Sequence, residues 1–335
     1  MKIQEVNSPA SAVPVALLPD DPLHTRFLNV LLAIWRAMTS SRRVAIGSAI
    51  VGFFILIGLI GPFFMPYNPN ATSHLFITPP SPTHWLGTTV VGEDIFSQLI
   101  YGTRTSVFWG LGTGIMVTLL SVVVGLIGGY FGGWIDDALT LLTNVSLVLP
   151  ALPLAIVLAA YFPRGPLTIS FVIVFTNWAW QARVLRSQTL SMRSREFVTA
   201  ARMSGESSLR IIFHEIFPNE IGLVVAGFVS TTIYVVLTWA ALEFLGLGDG
   251  TIPSWGSMLY WAQQAGALGG GLWWWFIPPG ACIAILGAGL SLINFGIDEI
   301  ADPRLRIERP ANVEKHKKAV KLEKAERNGD TLLPL

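Results

Sequence analysis

The chain has 335 residues, 52% of them hydrophobic and only 13% charged, with a formal net charge of +1. So low a charged fraction, against roughly 25% in soluble domains, excludes a large soluble enzyme and points to a polytopic membrane protein. The charges are segregated along the chain, which gives nucleic acid no basic face, and the lone Cys282 lies in an apolar run as a packing residue with no disulfide partner.

Residues 1–22 hold four prolines and little pattern, the composition of a disordered tail. Residues 23–40 place Phe27, Leu31, Ile34, Trp35 and Met38 on one helical face. That arrangement suits an interfacial helix leading into a membrane span, or a cytoplasmic helix packed on a partner. The first long apolar run begins only at Val44, too late for a cleaved signal peptide.

Six segments are long and uncharged enough to approach the ~20 residues that a bilayer core requires: 44–65, 107–131, 138–162, 166–182, 220–241 and 274–297. Pro166 opens the fourth, and Asn177 and Gln181 lie in its second half. Glycines at 47, 52, 58 and 61, and again in "GLIGGYFGG" at 125–133, suit close helix packing in lipid. The expected fold is therefore all-α: a polytopic membrane bundle of six transmembrane helices.

Basic residues set the topology. Five precede the first span, six arginines (183, 186, 193, 195, 202 and 210) lie between spans four and five, and nine follow the last span. Only Arg104 and Arg164 fall on the other face, so 20 of 22 mark one side as cytoplasmic and both termini lie inside. Five or seven spans would scatter them.

Several chemistries find no residues. There is no G-x-x-x-x-G-K-[ST] loop and no lysine between Ile3 and Glu314, so a phosphate-cradling lysine is excluded from the membrane core. Asp136, Asp137, Glu243, Asp298 and Glu299 fall at span ends and Glu220 opens the fifth span, the placement expected of solvated or helix-end charges. His74, His84 and His214 are isolated, without metal spacing. Asn177, Gln181, Thr231, Thr232 and Tyr234 are candidates for lining a translocation pathway, with helix–helix hydrogen bonding as the alternative. The tryptophans at 255, 261, 273, 274 and 275 read as outer interface anchors.

One stretch, "REFVTAARMSGESSLRIIFHEIFPNE" (195–220), stays polar among apolar neighbours. It reads as two short helices. Phe197, Ala200 and Ala201 form a shallow apolar face, Gly205 stops the first helix, and Ser207 or Ser208 caps the second. Leu209, Ile212, Phe213 and Ile216 then recur as an amphipathic stripe until Pro218 breaks the pattern. A simple connection needs only about four to six residues, so this one suits docking to a soluble partner, or covering the cytoplasmic end of its own bundle.

"AARMSGESSLRIIFHEIFPN" resembles the EAA loop of ABC importer permeases, through Ala200, Ala201, Gly205, Ile216 and Pro218. Thr199 stands where that signature carries glutamate, and Phe217 where leucine is common. "HWLGTTVVGEDIFSQLIYGTRTS" (84–106), "GGYFGGWIDD", "EFLGLGDGTIPSWGSML" (243–259) and "DPRLR" (302–306) are similar, in the same order, to segments of the dipeptide, oligopeptide and nickel permeases. Thr89, Glu93 and Gln98 replace one acidic and two basic residues of that group, so an outer-face charge network is rebuilt.

The resemblance implies a type I ABC importer permease fold. It divides the chain into a cytoplasmic tail (1–43), a permease domain (44–300) with its coupling loop at 183–219, and a charged cytoplasmic tail (301–335). It implies a second homologous permease subunit in a heterodimer, two ATPase subunits that use ATP and Mg, and an extracytoplasmic solute-binding protein. No cofactor is expected on this chain. The ATPase-coupling residues implied are Thr199, Ala200, Ala201, Gly205, Glu206, Leu209, Arg210, Ile212, Phe213 and Pro218. Cargo would be peptides, with nickel or an oligosaccharide as alternatives. A stand-alone secondary carrier would need a buried ionisable residue or an internal repeat, and an intramembrane enzyme a catalytic pair; the sequence displays neither.

Overall fold

The structure is a computed structural model that describes residues 41–301. The expected N-terminal disorder, the interfacial helix, the charged tail and "DPRLR" lie outside those residues, as do the side chains of Asp298 and Glu299. Among the described residues every regular element is helical. In chain order they are α1 (Arg42–Ile60), α2 (Ile95–Phe131), α3 (Gly133–Val148), α4 (Ala151–Tyr161), α5 (Pro166–Asn177), α6 (Ala179–Met192), α7 (Glu196–Met203), α8 (Ser208–Arg210), a π-helical segment (Ile211–Ile216), α9 (Phe217–Phe244), α10 (Trp255–Gln264) and α11 (Trp273–Ala301).

Four stretches are long and apolar enough to cross a membrane: Arg42–Phe63, Ile95–Phe131, Ser208–Phe244 and Trp273–Ile297. The expected third span is instead two helices, α3 and α4, bent by 91°. Pro150 causes the bend: it pushes the preceding Leu149 into extended backbone (ψ 131°), which ends α3 before α4 begins. The expected fourth span also differs. α5 is 12 residues long, too short to cross alone at 1.5 Å per residue, and the chain breaks at Trp178 before α6 continues with a polar sequence. Four crossing helices, or five with the bent pair, are therefore what length and composition establish.

The 37-residue α2 is the spine. Its N-terminus is capped by Asp94, whose carboxylate accepts the Ser97 N–H at 2.8 Å and also meets His84 Nδ1 at 2.8 Å, with Tyr67 stacked on the imidazole. That dyad fastens the α1–α2 loop to the helix. Further along, α2 packs against α1, α5, α6 and α9. Apolar association alone gives helices little reason to pair in lipid, so close backbone approach has to supply the contact. Gly125 and Gly129 permit it. A Cβ on Gly125 would stand 2.8 Å from Leu185 Cβ, and one on Gly129 2.5 Å from Thr189 Cβ and 2.9 Å from the Arg186 carbonyl. At the C-terminal end of α2, Gly132 (φ +67°) turns the chain into α3. There Arg186 reaches back from α6 to grip Asp136 of α3 with two bonds of 2.5 and 2.8 Å. Arg186 donates both bonds and the Asp136 carboxylate accepts them, a two-point charged pair.

Two acidic side chains differ from the solvated placement read from the sequence. Glu220 is 1% exposed and accepts the Thr189 hydroxyl at 2.9 Å; Glu243 is 5% exposed and accepts the Ser254 hydroxyl at 2.5 Å. Both lie at span ends, as expected, yet neighbouring elements fold over them: α6 over the first, the N-terminus of α10 over the second. Asp137 is exposed, in accord with the sequence.

Gly129→Leu should therefore lower the thermal unfolding midpoint of the detergent-purified chain, at a cost of about 1–3 kcal/mol for overpacking. Gly112→Ala, where a Cβ meets nothing within 4 Å in the same helix, should be neutral or slightly stabilising.

Candidate functional site

The polar stretch forms a helical elbow. α7 ends in a two-bond closure, with the Gly205 N–H donating to the Arg202 carbonyl and the Glu206 N–H to the Ala201 carbonyl, each at 3.2 Å. Gly205 sits at φ +82°, in the left-handed region, while a Cβ there would meet open space. Backbone conformation alone demands the glycine. Ser207 then accepts the Arg210 N–H at 3.4 Å and caps the next helix, and across the elbow Arg210 pairs with Glu206 at 2.6 Å. This pair is solvent-exposed, and such pairs contribute at most about 1 kcal/mol.

The buried face is rotated from the expected stripe. Ile211, Ile212 and Ile216 are 2% exposed or less, whereas Leu209 and Phe213 are 61% and 51% exposed. The cause is the π-helical segment, in which the Phe217 N–H bonds to the Ile212 carbonyl five residues back. The wider turn brings Ile211 and Ile216 onto one side. Pro218 explains its position: a proline ring crowds the carbonyl four residues before it, and a widened turn relieves that crowding. Pro218 therefore does not break the helix, and Ser208–Phe244 runs on as one stretch.

A similar shift occurs in α7. Phe197 and Ala200 face outward, and Val198 (0% exposed) and half-buried Ala201 face inward. Apolar spacing of three fits either phase, and compact Val198 is the residue taken up by the bundle. Val198 and the three isoleucines pack on Val122, Leu126 and Tyr130 of α2, Leu185 of α6 and Val224 of α9. Arg202 adds a cation–π contact, its guanidinium carbon 5.4 Å from the centroid of the Tyr130 ring. The buried side of the elbow is thus fixed to the C-terminal end of α2 and to α6, at about 1.5–3 kcal/mol per buried aliphatic side chain. Its outer side presents Thr199, Ala200, Met203, Gly205, Leu209 and Phe213. Thr199, in the signature's glutamate position, donates to the Arg195 carbonyl of the same turn at 3.2 Å.

The five pathway candidates do not converge. Asn177 donates to the Ile173 carbonyl of its own helix, and Thr232 is buried against Gly114. Gln181 and Thr231 bond each other at 3.2 Å across α6 and α9, while Tyr234 is 44% exposed. The three substituted outer positions do come together: Gln98 donates to Glu93 at 2.8 Å, and Thr89 accepts the Glu93 N–H at 3.1 Å. Residues missed in the sequence are Glu220, the Asp136–Arg186 pair and the Arg202–Tyr130 contact. "GGYFGGWIDD" carried a signal for two of these, since it sets Tyr130 and Asp136 on either side of a glycine corner.

Residues 121–307 match the model of the binding-protein-dependent transport system inner membrane component, and residues 31–80 that of the N-terminal TM domain of oligopeptide transport permease C. The oligopeptide transport system permease protein OppC of Bacillus subtilis (strain 168) is 31% identical, over 82% of this chain and 91% of its own length. The dipeptide transport system permease protein DppC of Alkalihalophilus pseudofirmus is 30% identical over 81% and 89%, and the glutathione transport system permease protein GsiD of Pectobacterium atrosepticum 27% over 81% and 90%. A multi-pass helical bundle with an elbow fixed to one end, matched over most of its length by transport permeases, belongs to the family of binding-protein-dependent transport system inner membrane components.

Proposed function

We propose that this chain is one of two permease subunits in an ATP-driven peptide importer, and that the 183–219 loop is its ATPase-coupling device. The observation that carries the reading is the two-sided elbow: one side buried in the bundle, the other presenting Met203, Leu209 and Phe213, which are 85%, 61% and 51% exposed. Large apolar side chains left exposed on an otherwise polar loop suit a protein partner. A second, homologous permease completes the pathway, each permease engages one ATPase subunit, and a binding protein delivers cargo from outside. ATP and Mg are used by the ATPase subunits. In this arrangement the chain crosses the membrane six times, α5 and α6 together supplying the fourth crossing, with residues 1–43 and 301–335 in the cytoplasm. Peptide cargo is favoured over nickel or oligosaccharide by the oligopeptide, dipeptide and glutathione permeases it resembles.

Closure of the ATPases on ATP would displace the elbow, and the packed isoleucines and Val198 would carry that displacement into α2 and α6. A proton-driven carrier is disfavoured. Glu220 and Glu243 are 23 residues apart on one helix, roughly 34 Å at 1.5 Å per residue, with no ionisable carboxylate between them for a relay.

Two outcomes test the reading. Gly205→Val forces a β-branched residue to φ +82° and should leave membrane insertion intact while ATP hydrolysis no longer drives uptake. Normal uptake at normal hydrolysis rates in that variant contradicts it. Phe213→Ala should keep chain stability within about 0.5 kcal/mol yet reduce ATPase co-purification, whereas Ile212→Ala should destabilise the chain itself by about 2–4 kcal/mol.

A further inference from the structure

On the outer face, a half-open cavity of about 410 Å³ lies between the α1–α2 loop, the α9–α10 loop and α10. Its size is that of a small-molecule site. Trp261, Trp275, Met258 and Pro253 form an apolar wall, and Glu93 is its one ionisable side chain. Among the described residues Glu93 has no basic partner. Partial burial raises its pKa, and hydrogen bonds from Gln98 and Thr89 only partly oppose that.

Hydrogen-bond bookkeeping shows what the wall offers. Gln98 donates through its amide nitrogen to Glu93 (2.8 Å) and to the Pro69 carbonyl (3.2 Å), so its remaining capacity is an acceptor oxygen. The Thr251 hydroxyl donates to Asp249 at 2.7 Å, and the Trp261 indole N–H to the Gly250 carbonyl at 3.3 Å. The Ser257 hydroxyl is occupied by the Ile252 and Ser254 carbonyls, each at 3.2 Å. Asn70 already donates to the Thr251 carbonyl at 3.0 Å. Most side-chain donors are spent within the wall, though the buried Trp275 indole N–H has no partner among the described residues, and the acceptors left beside the indole rings are the Glu93 carboxylate and the Gln98 and Asn70 amide oxygens. A cation with several N–H donors on an apolar body complements that surface, because indole faces also attract cations.

We propose that this cavity binds a primary amine carried on an apolar body, with Glu93 holding the ammonium and Trp261 and Met258 the hydrocarbon. The inference goes beyond the importer reading and does not rest on it, since the site is complete within this chain. Thr89, Glu93 and Gln98 are also the positions where the sequence departs from the permease segments it resembles, and the change removes basic side chains from this wall.

The test is calorimetric binding to the full chain in lipid nanodiscs, with empty nanodiscs subtracted. Phenethylamine should bind saturably and about tenfold or more tightly than 2-phenylethanol, its uncharged counterpart of similar shape. Glu93→Gln should remove that advantage while leaving the alcohol's weak binding unchanged, and Trp261→Ala should weaken both. Equal binding of amine and alcohol to the unmodified chain overturns the proposal. So does absence of amine binding, or undiminished binding in a folded Glu93→Gln variant. Transport is no part of the readout, so a chain that binds the amine but fails to couple to an ATPase keeps this inference and loses the importer reading.

Discussion

The structure depends on how closely α2 and α6 approach. Lipid rewards helix pairing weakly, so the contact needs backbones near enough for dense packing, and Gly125 and Gly129 remove the side chains that would prevent it. Once the pair is close, Thr189 meets Glu220, Arg186 meets Asp136, and Leu185 roofs the hollow into which Val198 and the isoleucines settle. Each contact needs α6 at that distance from α2. A side chain at Gly129 would disturb all of them together.

This packing gives the elbow a mechanical character. Its inward side shares a single apolar cluster with the spine, and its outward side is exposed among the described residues. A force on the exposed side is borne by buried aliphatic contacts, which resist deformation because protein interiors are close-packed. The left-handed turn at Gly205 and the Ser207 cap set the angle between the two arms. Glu206 and Arg210, bound to each other across the turn, brace it weakly.

What the sequence disclosed follows from what local chemistry controls. Gly205 was legible, and the cap narrowed to Ser207 or Ser208, because a left-handed turn and a helix cap need particular residue types at particular places; the structure selects Ser207. Helical class and membrane character were legible because composition and run length decide them. Phase was harder. The stripe Leu209–Ile212–Phe213–Ile216 assumed an α-helical turn, and the π segment before Pro218 rotated it, exposing Leu209 and Phe213. The bend at Pro150 and the break at Trp178 divided segments that hydropathy joins. Burial of Glu220 and Glu243 was invisible for a different reason: each is covered by an element distant in sequence, α6 at Thr189 and α10 at Ser254. The Asp136–Arg186 pair, 50 residues apart, belongs to the same class.

The central claim is that elbow and spine move as one body, and an intramolecular distance tests it directly. Spin labels at Leu119→Cys on α2 and Glu196→Cys on the elbow, both exposed positions, with Cys282→Ser removing the native thiol, report the separation by pulsed electron resonance in the assembled importer. The account predicts one narrow distance distribution that superimposes with and without trapped ATP, while transport-coupled motion occurs between subunits. A shift or broadening of that distribution on ATP binding would contradict it, because the elbow would then flex on α2 instead of carrying α2 with it.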